Sequence, residues 1–97
     1  MYRLKYLPSA LLDILEIEDY LFELDPDVSE KFTDAIKAHT STLAEHPYMC
    51  QVFEDNIYFR SMPLPYNYRM FYHIDEVLKV IKVHRVLHSA RNLERLL

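Results

Sequence analysis

Apolar and polar positions change period along this chain. Tyr2, Leu4 and Tyr6 alternate with Arg3 and Lys5, the period of two of a short strand. From Ala10 the spacing widens to three and four. Ala10, Ile14, Ile17, Leu21 and Leu24 form one stripe, with Asp13, Glu16 and Glu23 largely off it, which predicts a helix from Ala10 to about Leu24. Pro8-Ser9 opens that helix, because Ser is a good N-cap and Pro is tolerated at helix entry. Asp25-Pro26-Asp27 ends it and starts the next: Asp25 caps, Pro26 suits a first turn, and Asp27 favours the positive end of the helix dipole. The second stripe is Val28, Phe32, Ala35, His39 and Leu43. His46-Pro47 closes it, since the residue before a proline is pushed out of the α region. So short a connection makes the two helices antiparallel neighbours.

The second half is β-rich. Ile57 and Phe59 alternate with Tyr58 and Arg60, and Pro63 and Pro65 mark a strand end or a sheet edge. Met70, Tyr72 and Ile74 alternate with Arg69, Phe71 and His73. Asp75-Glu76 makes a tight turn. Val80 to Leu87 is strongly β-prone and reads as a central strand. Ser89 to Leu97 reads as a short closing helix. The order β-α-α-β-β-β predicts an α+β fold, a helical hairpin packed on a twisted, mainly antiparallel sheet, as one domain over residues 1–97. The expected core is Ile14, Ile17, Leu21, Phe32, Ala35 and Leu43 with Met70, Tyr72, Ile81 and Val83.

Composition narrows the function classes. The chain is 51% apolar with eight Tyr and five Phe, enough for a packed core and too much for a disordered segment. No apolar run reaches the ~18 residues needed to span a membrane. The start Met1-Tyr2-Arg3-Leu4-Lys5 lacks a signal-peptide layout, so a cytoplasmic, non-membrane protein is expected. Cys50 is alone, which gives neither a disulfide framework nor a metal quartet, and it reads as a small half-buried hydrophobe. The chain has no glycine. That excludes P-loops, dinucleotide-binding loops and nucleophile elbows, each of which needs backbone that only Gly allows. No metal and no cofactor are expected. Charge is split: residues 1–48 carry four Lys/Arg against ten Asp/Glu, a net of −6, and residues 49–97 carry seven against five, a net of +2. The polar face is then built from the C-terminal part, without the strongly basic surface of a general nucleic-acid binder.

Strand parity points to where chemistry could sit. Lys82, His84 and His88 share one parity of the last strand with Val80 and Val86, while Ile81, Val83 and Leu87 share the other. Arg69 and His73 share a parity opposite to Met70, Tyr72 and Ile74. One sheet face is then apolar and packed on the hairpin, and the other carries Arg69, His73, Lys82, His84 and His88. Cations and imidazoles on an uncovered face could bind phosphate and shuttle protons. But an antiparallel sheet with one wet face needs polar residues there anyway, and pattern alone favours that reading. Arg85 breaks the scheme, because its parity puts it with the apolar set. Either a bulge shifts the register, or the arginine pairs with a helix carboxylate at the edge of the core.

The element order, the strand Tyr68-Arg69-Met70-Phe71-Tyr72-His73-Ile74-Asp75 and the segment Arg85-Val86-Leu87-His88-Ser89-Ala90-Arg91-Asn92 resemble the RelE/ParE toxins. The last segment is similar to that family's closing signature Arg-Val-Leu-His-Gly-Arg-Arg-Asp. The entry Tyr6-Leu7-Pro8-Ser9-Ala10 and the helix end Leu43-Ala44-Glu45-His46-Pro47 also match typical members. The resemblance implies a toxin neutralised by an antitoxin encoded beside it. RelE-like members cut mRNA in the ribosomal A site, a metal-independent endoribonuclease activity in which basic residues stabilise charge on the scissile phosphate. ParE-like members lack that basic set and inhibit DNA gyrase. Against the RelE pattern, Arg60 falls at the first active-site lysine, Arg69 at the arginine of the Tyr-Arg strand, and Arg91 at the arginine after the last strand. Met62 stands where a second lysine is expected and Leu97 where a tyrosine is expected, so two functional side chains are missing. The resemblance therefore implies a growth-inhibiting toxin leaning towards the gyrase-directed type. The alternatives are a ribosome-dependent nuclease or a decayed toxin that only binds its partner. The candidate site is a cationic cluster of Arg60, Arg69 and Arg91 at the end of the sheet, with His84 and His88 on the same open face.

Overall fold

A computed structural model describes residues 1–91 together with Leu93. The chain runs β1 (Arg3–Tyr6), α1 (Pro8–Leu24), α2 (Pro26–Glu45), β2 (Arg60–Leu64), β3 (Tyr68–Asp75) and β4 (Val80–His88). The predicted β-α-α-β-β-β order is found. The sheet order is β1-β4-β3-β2, with β2, β3 and β4 antiparallel in succession and β1 parallel to β4. The closing helix expected over residues 89–97 falls largely on residues 92 and 94–97, which lie outside the described residues. Among the described residues no helix is long and apolar enough to cross a membrane.

The helical hairpin forms with three departures from its sequence signals. Asp25 caps α2, its side chain accepting from the Asp27 N–H at 2.9 Å, and Pro26 takes the first turn. At the head of α1, however, the N-cap is Leu7 and not Ser9. The Ser9 hydroxyl instead donates to the His84 carbonyl at 2.7 Å. α1 buries Ala10, Ile17 and Leu21, Ile14 packs partly, and Leu24 is 65% exposed, so the predicted stripe ends one turn early. α2 is rotated from expectation: it buries Ser29, Phe32, Ile36, Thr40, Leu43 and Ala44, leaving Val28, Ala35 and His39 half-buried. Two hydroxyls can face the core because both have helix carbonyls as acceptors, one across the hairpin and one in the preceding turn. Ser29 Oγ donates to the Glu18 carbonyl at 3.0 Å and Thr40 Oγ1 to the Ile36 carbonyl at 2.8 Å. The hairpin packs on Met62, Leu64, Tyr68, Met70, Tyr72, Ile81, Val83 and Val86.

Residues 57–59 form no strand, contrary to their alternation. Asn56 holds them in a turn: its side chain accepts from Tyr58 N–H at 3.2 Å and its carbonyl from Phe59 N–H at 3.0 Å. Strand pairing begins at Arg60, opposite Tyr72. Pro63 lies within β2, which is tolerable because β2 is an edge strand. With no glycine available, left-handed backbone falls to Tyr66, Asn67 and Lys79, at φ of 62°, 63° and 56°.

Both readings offered for Arg85 hold together. The β3–β4 register shifts between Phe71 and Tyr72, so that Phe71 faces Arg85, Tyr72 faces Val83, and His84 is the extra residue of a bulge. β1 ends opposite Val83, and beyond that point α1 takes over the edge of β4. Ser9 bonds the His84 carbonyl there, and Asp13 accepts the Val86 N–H at 3.0 Å. Arg85 meets the same carboxylate with two donors, Nε to Oδ2 at 2.7 Å and Nη2 to Oδ1 at 3.0 Å. The Asp13 hydrogen bond, the largest influence, raises the Arg85 pKa still further.

At the other end of the molecule one carboxylate ties three segments. Glu76 accepts from the Tyr2 hydroxyl at 2.9 Å, from the Tyr48 hydroxyl and from Lys79 Nζ at 3.0 Å. These bonds, Tyr48 first, lower its pKa from 4.5 to about 2. A carboxylate depressed in the folded state contributes stability above its unfolded pKa and loses it as pH falls towards the folded one. Glu76→Gln is therefore expected to melt below wild type at pH 6, with the gap closing between about pH 4.5 and pH 2. Thermal melts of both proteins across that range check it, and an unchanged gap at pH 2 would mean the charge is irrelevant.

Candidate functional site

The bulge at His84 redistributes the predicted site residues. Before it, Ile81 and Val83 face the hairpin; after it, Val86 does, opposite Met70, and Leu87 turns to the second face. The second face is partly covered. Phe59, Phe71 and Leu87 are buried there, with Phe53 and Leu93 packed against them. Phe53 meets Phe71 edge-on at 5.1 Å between ring centroids. The segment carrying Phe53 is stitched down by Phe53 N–H to Phe59 O at 2.8 Å and Ser61 N–H to Gln51 O at 3.2 Å.

The expected single cluster of Arg60, Arg69 and Arg91 with His84 and His88 is therefore not assembled. Arg60 sits opposite Tyr72, on the hairpin side. Its Nη1 donates to the Cys50 carbonyl at 2.7 Å and its guanidinium lies 4.9 Å from the centre of the Tyr48 ring. Arg69 sits opposite Leu87, on the second face, and its Nε donates to the Ser61 hydroxyl at 2.6 Å. His88 packs edge-on against Tyr68 at 5.1 Å and its Nδ1 accepts from the Ala90 N–H at 3.1 Å. It shares a cleft of about 350 Å³ with exposed Arg91, walled by Asp13, Glu16 and Tyr20 of α1. His84 stands apart from both, between the rings of Phe59 at 4.9 Å and Tyr58 at 5.9 Å. Its Nε2 is buried without a partner among the described residues, and burial, then His73 and Lys82, push its pKa down. Met62, at the position of the missing lysine, is only 1% exposed within the core.

Three arrangements went unforeseen. Tyr58 stacks on His73 with centroids 4.0 Å apart, and the His73 Nδ1 lies 3.3 Å from the Tyr58 carbonyl. Lys82 pairs with Asp75 at 3.5 Å, which takes it out of the expected set of free cations. The residues 51–59 fold over the second face. The available signal was Phe71 on the parity of Arg69, an apolar residue that a wet face would not carry. Among the described residues no group of three His, Cys, Asp or Glu is placed to hold a metal ion.

No curated protein sequence matches this chain significantly. The solved structure of a chromosomal ParDE toxin–antitoxin system from P. aeruginosa resembles it with a TM-score of 0.74 at 20% identity, covering 91% of this chain and 96% of that one. The E. coli RelBE toxin–antitoxin complex resembles it with a TM-score of 0.65 at 19% identity, covering 94% and 100%. The isolated E. coli RelE toxin does so with a TM-score of 0.65 at 19% identity over 100% of both chains. At those identities the likeness establishes the fold. The family of ParE toxins of type II toxin–antitoxin systems, parDE, matches residues 4–93. The chain therefore belongs to the ParE toxin family of type II toxin–antitoxin systems.

Proposed function

We propose that this protein inhibits growth by acting on DNA gyrase, without cutting RNA, and is neutralised by an antitoxin encoded beside it. The observation that carries the gyrase reading is the dispersal of the cationic set. Charge stabilisation on a scissile phosphate needs donors converging within hydrogen-bond distance of one point. Here Arg60 is spent on the Cys50 carbonyl and the Tyr48 ring, Arg69 faces the other side of the sheet, and Met62 is core. His84 and His88 have separate surroundings, so among the described residues they form no acid–base pair around one substrate position.

The experiment is expression of the protein in cells beside purified assays. Induction of DNA-damage signalling and loss of gyrase supercoiling are expected, with translating ribosomes yielding no cleaved mRNA. Ordered cleavage of mRNA in the ribosomal A site would replace this reading with the nuclease one. Absence of any growth defect would leave a decayed toxin.

The antitoxin reading is supported by apolar surface without a partner. Leu11, Leu12, Leu15 and Phe22 of α1 are 49%, 57%, 59% and 60% exposed. A row of this size on one helix is the kind of surface that a partner covers. The solved structures similar to it in fold include toxin–antitoxin complexes, ParDE and RelBE.

A further inference from the structure

On the second face of the sheet a cleft of about 360 Å³ opens between the 51–55 segment and β3, lined by Phe53, Glu54, Asp55, Ser61, Arg69 and Leu93 among others. Its chemistry is mixed in an ordered way. At the floor, Arg69 uses Nε on the Ser61 hydroxyl, and Ser61 is itself buried, so the guanidinium is anchored at one end. Its two terminal nitrogens have no partner among the described residues. Phe53 gives an apolar wall, held in place by Phe71, with Leu93 packed on the same cluster. At the rim Glu54 and Asp55 are exposed and make no ion pair or side-chain hydrogen bond among the described residues.

We propose that this cleft binds the C-terminal end of a basic peptide. The terminal carboxylate lies on the Arg69 fork, the last side chain lies against Phe53 and Leu93, and an upstream Lys or Arg meets Glu54 and Asp55. A guanidinium anchored at Nε, whose two terminal nitrogens have no partner among the described residues, matches a planar carboxylate, which accepts from both at once. The rim selects the kind of chain that carries the anion. A nucleic acid places another phosphate at every step, and two carboxylates within a Debye length, about 10 Å, repel it. A peptide with cationic side chains is attracted by the same pair. The apolar wall requires a side chain beside the carboxylate, which inorganic phosphate lacks. This assignment is independent of whether gyrase is the cellular target.

The test is an NMR titration of the full chain with the tetrapeptide Ala-Arg-Lys-Leu. The free acid should shift the amides of Phe53, Ser61 and Arg69 and saturate. The C-terminally amidated peptide should bind at least tenfold more weakly, as should the free acid with Arg69→Gln. Arg69→Lys, which keeps the charge without the fork, should also lose most of the affinity. Glu54→Gln with Asp55→Asn changes only exposed side chains, so folding is not at stake. It should weaken the basic peptide several-fold and make binding less sensitive to salt. Equal binding of acid and amide would overturn the proposal. So would a tetra-adenylate oligoribonucleotide that shifts the same amides and displaces the peptide, or inorganic phosphate binding as tightly. Free leucine matching the peptide would assign the cleft to amino acids and overturn the peptide reading.

Discussion

Asp13→Ala is expected to lower the stability of the fold by about 3 kcal/mol, the lower end of the range for breaking a buried ion pair. The lower end applies because the Arg85 side chain keeps 27% of its exposure and the Asp13 side chain 11%. Three bonds end on this carboxylate, two from the Arg85 guanidinium and one from the Val86 amide. They fasten the middle of α1 to β4 just beyond the bulge, where β1 has ended and no strand among the described residues covers that edge. Removing Asp13 takes the acceptor away from two Arg85 donors and from the Val86 N–H, all partly desolvated, and losing an acceptor at such donors costs more than the net worth of the bonds. Replacing both partners by apolar groups of similar length, Asp13→Leu with Arg85→Met, should recover much of the loss, since no charge is stranded. Urea unfolding of the two single variants and the double variant measures this as a cycle. A loss below about 1 kcal/mol for Asp13→Ala would mean that Arg85 swings into water and that the pair is a surface contact.

Arg85 also marks how far the sequence could be read. The order of elements was legible because each is announced by local signals: the change of period at Ala10, the Asp25-Pro26 joint and the proline after His46. Phe32, Leu43, Ile17 and Leu21 fell into the core as apolar spacing requires. The rotation of α2 was not legible. Ser29 and Thr40 look like surface residues until their hydroxyls are seen on helix carbonyls, an interaction that pattern does not record. The strand expected at residues 57–59 failed for a related reason, because a side-chain carbonyl of Asn56 outweighed a three-residue alternation. The site was the least legible part. Parity assigns faces only while the register is unbroken, and one extra residue at His84 sends Leu87 to one side and His88 to the other. The parity anomaly at Arg85 was the trace of that bulge. It was visible in the sequence, but not the fact that bulge and ion pair are one device, in which the bulge frees the edge of β4 and Asp13 fills it.

Charging the exposed row on α1 should abolish antitoxin binding while leaving the toxin folded. Leu11, Leu15 and Phe22 recur at four and seven residues, so they stand on one side of the helix, away from the Ala10, Ile17 and Leu21 stripe. Leu15→Glu with Phe22→Glu places two carboxylates where an apolar partner face must dry the surface. Each carboxylate left unpaired in a dried interface costs about 2 kcal/mol or more, so the pair should weaken the complex by well over 100-fold. Stability should change little, because both side chains are more than half exposed, and surface substitutions away from buried features stay within roughly 0.5 kcal/mol. Val77→Glu is the control, since Val77 is 91% exposed at the far tip of the β3–β4 turn and lies off this row. The measurement is co-purification with the product of the neighbouring gene, then titration of the purified partners. The control should keep full affinity, and the double variant should elute alone with an unchanged melting curve. If the double variant still co-purifies as wild type does, the antitoxin docks elsewhere, and the row on α1 has no part in neutralisation.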